Sequence, residues 1–134
     1  MARILVIEED LELRVALTRF LAALGHDVVA FDSHDEVMNI GRELGIPTRI
    51  DLAILDVAAA DPQTLRDIAA LKDAFPRLAV VVTAKPEALA ALYGPSLLAR
   101  ALGAAAALLK PFTAAQLQAA IERILAPRGP GNAD

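Results

Sequence analysis

Five short apolar runs, each followed by a longer segment of helical period, constrain this chain more than any single motif does. The runs cover residues 4–7, 27–31, 50–55, 78–82 and 105–109. Four are rich in Val, Ile or Leu and bounded by acids, Gly, Pro or turn residues, as strands are. The fifth is largely Ala, a poor strand former. Near-continuous apolar runs mark strands buried on both faces, as in a parallel sheet covered by helices.

The segments between them carry helix signals. In residues 10–24, Leu13, Leu17, Phe20, Leu21 and Leu24 share a face, with Arg14 and Arg19 off it, and Gly25 supplies the stop. Ser33 is placed to cap a helix to about Leu44, with Glu36 completing a capping box and Gly45 ending it. Asp61 and Pro62 read as N-cap and first position of a helix to about Phe75, halted before Pro76. Between 86 and 102, Gly94-Pro95 interrupts the pattern, which predicts a short helix to about Tyr93 and a second from Ser96. Thr113 caps a last helix to about Leu125. The order is βα five times over, an α/β plan with right-handed crossovers and helices on both faces. Ligands in such sheets bind beyond the carboxyl ends of the strands.

Length and composition narrow the functions. At 134 residues the chain holds one domain, expected over residues 1–126, with a flexible tail at 127–134. Its net charge of −4 and lack of a basic stripe argue against nucleic-acid binding. It has no cysteine, hence no disulfide, thiolate metal site or cysteine nucleophile. No window approaches the roughly 18 consecutive apolar residues of a membrane span. A cytoplasmic, soluble protein is expected. Neither a Gly-x-Gly-x-x-Gly fingerprint nor a P-loop occurs.

The residues just after the runs carry the chemistry. Glu8, Glu9 and Asp10 follow the first run, Asp56 the third, Thr83 the fourth, and Lys110-Pro111 the fifth. An oxygen-rich acidic cluster without His or Cys suits a hard ion such as Mg²⁺. The three adjacent acids also suit a helix N-terminus through its dipole. Asp56 can accept a phosphoryl group as an acyl phosphate, with Thr83 and Lys110 on the phosphoryl oxygens. His26 and His34 lie away from this rim.

This ordered set, over residues 3–126, resembles the receiver domain of two-component response regulators. The matching pieces are Arg-Ile-Leu-Val-Ile-Glu-Glu-Asp, Asp-Leu-Ala-Ile-Leu-Asp56-Val, Val-Val-Val-Thr83-Ala and Leu-Leu-Lys110-Pro111-Phe112. The resemblance implies a flavodoxin-like fold of strand order 2-1-3-4-5. It implies Asp56 as phosphoacceptor, Thr83 as the hydroxyl that moves onto the phosphoryl group, and Lys110 as the phosphate-binding lysine. Mg²⁺ (or Mn²⁺) would be held by Glu8, Glu9, Asp56 and the backbone carbonyl of Ala58. The Lys110-Pro111 peptide is expected to be cis, as is frequent in the family.

Several positions depart from the family pattern. Glu9 stands where Asp is the usual metal ligand, and Ala60 replaces the usual proline after the acceptor. Ala107, three before Lys110, replaces the aromatic that swings inward on phosphorylation. The stretch 83–110 is a few residues longer than usual and carries Tyr93, the one tyrosine. Lys85, two after Thr83, matches a position that tunes access to the phosphoryl group. The resemblance implies a stand-alone or excised switch, phosphorylated by a histidine kinase or phosphotransfer protein. It would catalyse only its own phosphoryl transfer and dephosphorylation. Output would be protein contact at the face of the fourth helix, fifth strand and fifth helix, with a homodimer left open. The alternative is an atypical pseudo-receiver, a phosphorylation-independent binding module. An aspartyl phosphohydrolase is disfavoured, because Asp56 is followed by Val57-Ala58 and lacks the second Asp of that motif.

Overall fold

A computed structural model describes residues 2–44, 49–57, 62–89 and 95–126. The five runs are strands β1 (Arg3–Ile7), β2 (Asp27–Phe31), β3 (Leu52–Asp56), β4 (Ala79–Ala84) and β5 (Ala106–Leu109). They form one parallel sheet of order β2-β1-β3-β4-β5. The helices are α1 (Leu11–Ala23), α2 (His34–Leu44), α3 (Pro62–Ala74), α4 (Pro95–Leu102) and α5 (Ala114–Leu125). Fold class and strand order are as expected from the sequence.

Strand alternation builds two cores. Successive strand residues face opposite ways. Ile4, Val6, Leu52, Ile54 and Val81 pack with Leu17 and Leu21 of α1 and Leu117 and Ile121 of α5. Leu5, Ile7, Ala53, Leu55, Val80 and Val82 pack with Val37 of α2, Ile68 and Leu71 of α3, and Leu102 of α4. Both faces of the central strands are therefore dry, which explains their unbroken apolar sequence.

Local chemistry sets the element ends. Asp10 is the N-cap of α1, its carboxylate accepting the Glu12 and Leu13 amides, and Gly25 follows the helix at φ +93°. Thr113 and Gln116 form a reciprocal capping box on α5. At α2 the box is displaced: Ser33 Oγ accepts the Glu36 amide, but Glu36 Oε1 accepts the amide of Asp32 rather than of Ser33. After β4 the described residues form a 3-10 turn, Pro86–Leu89, the rest of the short helix expected to about Tyr93 lying outside them, and α4 starts at Pro95, one residue before the expected Ser96. Proline at the first helical position loses no hydrogen bond, which suits both starts. The expectations for Gly45, Ala58, Ala60, Asp61, Tyr93, Gly94 and the 127–134 tail lie outside the described residues.

β5 is four residues long and only half-buried beyond Ala106, as befits an Ala-rich edge strand. Ala107 packs against the core under α2–α4. No helix among the described residues is long and apolar enough to cross a membrane.

Candidate phosphoacceptor site

Each strand's alternation, followed to its carboxyl end, brings four polar residues to one side. Glu8 follows Ile4 and Val6, Asp56 follows Leu52 and Ile54, Thr83 follows Val81, and Lys110 follows Ala106 and Leu108. All four continue the α1/α5 face of the sheet. The backbone then locks the strand ends together. The Glu8 amide donates to the Phe31 carbonyl at 3.0 Å, the Val57 amide to Thr83 at 2.9 Å, and the Lys110 amide to Ala84 at 2.8 Å. Asp56 and Thr83 are direct register partners across β3 and β4.

Lys110 joins the acids. Its Nζ donates to Glu8 Oε1 at 3.0 Å and to Asp56 Oδ1 at 2.9 Å, across 102 and 54 residues of chain. Glu8 is only 2% exposed, and its other oxygen accepts the Asp10 amide at 3.1 Å. Thr83 is 1% exposed, and its hydroxyl has no hydrogen-bond partner among the described residues. A buried hydroxyl without a partner costs free energy.

The charges are unbalanced. Burial pushes the Glu8 carboxyl above its ordinary value, against the Asp10 amide and Lys110, which favour its charge, while the charge of Asp56 raises it further. Burial works against the Lys110 ammonium as well. Its hydrogen bonds to Asp56 and Glu8, and their charges, outweigh that and hold it above the usual lysine value. One cation thus serves two carboxylates.

The other expected residues are placed differently. Glu9 is exposed, and its side chain makes no hydrogen bond or ion pair among the described residues. Asp10 is engaged in capping α1, not in the cluster. Among the described residues no three acidic or histidine side chains converge as a ready metal cage. Lys85 is exposed at a pocket of about 440 Å³ that also borders Lys110, Pro111 and Phe112. The Lys110-Pro111 peptide is cis, as expected. His26 accepts the Ala2 amide and His34 lies 3.7 Å from Asp67; neither touches the cluster.

One residue at the site was not singled out from sequence. Arg14 of α1 reaches back to the carbonyls of Glu8, at 2.7 Å, and Glu9, at 3.5 Å. The available signal was a lone arginine six residues after Glu8 in an otherwise acidic stretch.

No family model matches the sequence, and no curated protein does. Solved structures match over nearly its full length. A response regulator receiver protein from Burkholderia phymatum is 22% identical, with a TM-score of 0.75, covering 97% of this chain and 99% of its own. A response regulator receiver domain protein from Clostridium thermocellum is 27% identical at a TM-score of 0.71, covering 92% and 94%. The non-phosphorylated HemR receiver domain from Leptospira biflexa is 24% identical at 0.72, covering 97% and 98%. With this sheet order and this alternation of strands and helices among the described residues, the fold of this chain is that of a response regulator receiver domain.

Proposed function

We propose that this chain is a phosphorylation-controlled signalling switch that accepts a phosphoryl group on Asp56 from a histidine kinase or a phosphotransfer protein. The observation that supports this best is the Lys110 ammonium shared by Glu8 and Asp56 beside the buried, unpartnered Thr83 hydroxyl. An Asp56 oxygen attacks phosphorus in line. A P–O bond forms, the P–N bond to the donor imidazole breaks, and the electron pair leaves with the imidazole, which takes up a proton. Lys110 stays within reach of the added oxygens, and the Thr83 hydroxyl gains the acceptor it lacks.

The donor chemistry fits Mg²⁺. The cluster offers oxygen only, and Mg²⁺ is usually bound by one or two carboxylates with phosphate oxygens and several waters. Glu8 and Asp56 make such a pair, and the second oxygen of Asp56 accepts no hydrogen bond among the described residues. Glu9 and the carbonyl of Ala58 are the further ligands in this reading. The ion would offset the charge that the phosphoryl group adds.

Output runs through protein contact at the face of α4, β5 and α5. Ala107 cannot report by an aromatic swing, so the readout there rests on backbone and helix shifts. That same residue, with the exposed Glu9, favours the second reading, a pseudo-receiver that binds partners without phosphorylation.

Intact mass after incubation with acetyl phosphate and Mg²⁺ tests the choice. One added phosphoryl group, absent with EDTA and absent in Asp56→Asn, is expected. No adduct, together with no Mg²⁺ binding by titration, would overturn the switch in favour of the pseudo-receiver.

A further inference from the structure

We infer that Arg14 is a positioning residue of the Asp56 pocket, holding the Glu8–Glu9 backbone so that the buried Glu8 carboxylate meets Lys110. Its consequence for metal binding rests on the reading of the site as a phosphoacceptor; the positioning itself does not.

Backbone accounting leads to this. β1 leaves the sheet at Glu8. Its pairing with β3 ends at Ile7 opposite Leu55, while the Glu8 amide still bonds Phe31. The Glu8 carbonyl is then past the ladder, and a buried carbonyl needs a donor. Arg14 Nη1 supplies it at 2.7 Å, the short distance of a charge-assisted bond, and also approaches the Glu9 carbonyl. Arg14 is itself anchored. Its amide bonds the Asp10 carbonyl in the first turn of α1, and its own carbonyl accepts from Thr18 Oγ1 at 2.8 Å. The guanidinium thus ties the first helix to the end of the first strand across the loop that carries Glu8, Glu9 and Asp10. Glu8 hangs from that loop, one oxygen on the Asp10 amide and the other on Lys110.

Two roles for Arg14 differ in sign. A guanidinium that merely screened four nearby acids, Glu8, Glu9, Asp10 and Glu12, would weaken cation binding, and its removal would strengthen it. A guanidinium that positions the loop strengthens cation binding, and its removal weakens it despite the loss of a positive charge.

Arg14→Gln and Arg14→Lys separate the two, since both residues are good helix formers and α1 should persist. The first readout is amide hydrogen exchange at Asp10 in Mg²⁺-free protein, which reports the bond to Glu8. Arg14→Gln is expected to speed it about tenfold, the worth of one charge-assisted hydrogen bond, with amides in the middle of α1 unchanged. The second is Mg²⁺ titration, where affinity should fall about tenfold, as for other residues that orient metal ligands. Arg14→Lys, which keeps the charge but not the fork, should fall between. Unchanged exchange at Asp10, or tighter Mg²⁺ binding in Arg14→Gln, would overturn the proposal. If the wild type takes neither Mg²⁺ nor phosphoryl, the phosphoacceptor reading fails, and the exchange at Asp10 alone decides the role of Arg14.

Discussion

The two rims of the sheet both set cations against carboxylates, to opposite ends. At the amino rim, Arg3 pairs with Asp27 at 3.0 Å and Arg49 with Asp51 at 2.9 Å, while the Arg3 amide donates to Asp51 at 2.9 Å. Each acid there has its own guanidinium. Burial works against the Asp51 charge, but the Arg3 amide and Arg49 outweigh it and hold its carboxyl below the usual value. At the carboxyl rim one ammonium serves Glu8 and Asp56, Glu8 is pushed up, and a hydroxyl is left over. The amino rim is electrostatically closed. The carboxyl rim leaves charge and hydrogen-bonding capacity unmatched.

Lys110→Met should sharpen that contrast most. It strands two carboxylates beside one another, one of them buried, and is expected to cost on the order of 3 kcal/mol at neutral pH by denaturant titration. Adding Glu8→Gln should recover a substantial part, because one of the stranded charges is gone. A loss no larger than that of an exposed ion pair, under about 1 kcal/mol, would mean that solvent already screens the cluster.

Thr83→Val keeps the shape and removes the unpaired hydroxyl, so stability is expected to rise by about 1–2 kcal/mol while phosphoryl uptake from acetyl phosphate slows. A stability loss would show that the hydroxyl already has a partner in solution. Glu8→Gln alone should give less, roughly 1 kcal/mol or about 4 °C in unfolding midpoint without Mg²⁺. The sign follows from linkage. The folded state holds a proton on Glu8 more tightly than the unfolded chain, so stability falls as pH rises from the ordinary carboxylate value through the raised one. The gain from Gln should therefore be full above that window and vanish below it. A gain independent of pH would exclude ionisation of Glu8 as its source.

Much of this was legible before the structure, and what was not has physical causes. β2 and the Thr113 cap stand where the residues place them, because a short bounded apolar run with β-branched residues and a hydroxyl before a helix are local signals. Asp56, Thr83, Glu8 and Lys110 could be put on one rim, since strand-end placement follows from topology. That Lys110 contacts both acids could not, because it depends on how two edges of chain 102 residues apart meet. Glu9 and Asp10 show the converse. Three adjacent acids look alike in sequence, yet one is buried, one exposed and one spent on a helix cap. Arg14 was missed because its acceptors are backbone carbonyls, which have no sequence signature.

The amino rim supplies the smallest effect and the control for all the others. Arg49 is 65% exposed, so its pairing with Asp51 is well screened. Arg49→Gln is expected to cost at most about 0.5 kcal/mol at neutral pH. The Asp51 carboxyl sits below its ordinary value, so its contribution is present above that value and is lost as pH falls through the folded one. The cost of Arg49→Gln should follow, shrinking to nothing in strong acid, the reverse of the pH dependence of Glu8→Gln. Mg²⁺ affinity and phosphoryl uptake should not move, since Arg49 stands at the opposite end of β3 from Asp56. If Arg49→Gln cost as much as Lys110→Met, or weakened Mg²⁺ binding, the two rims would be coupled through β3. The closed rim would then be part of what holds the open one in place.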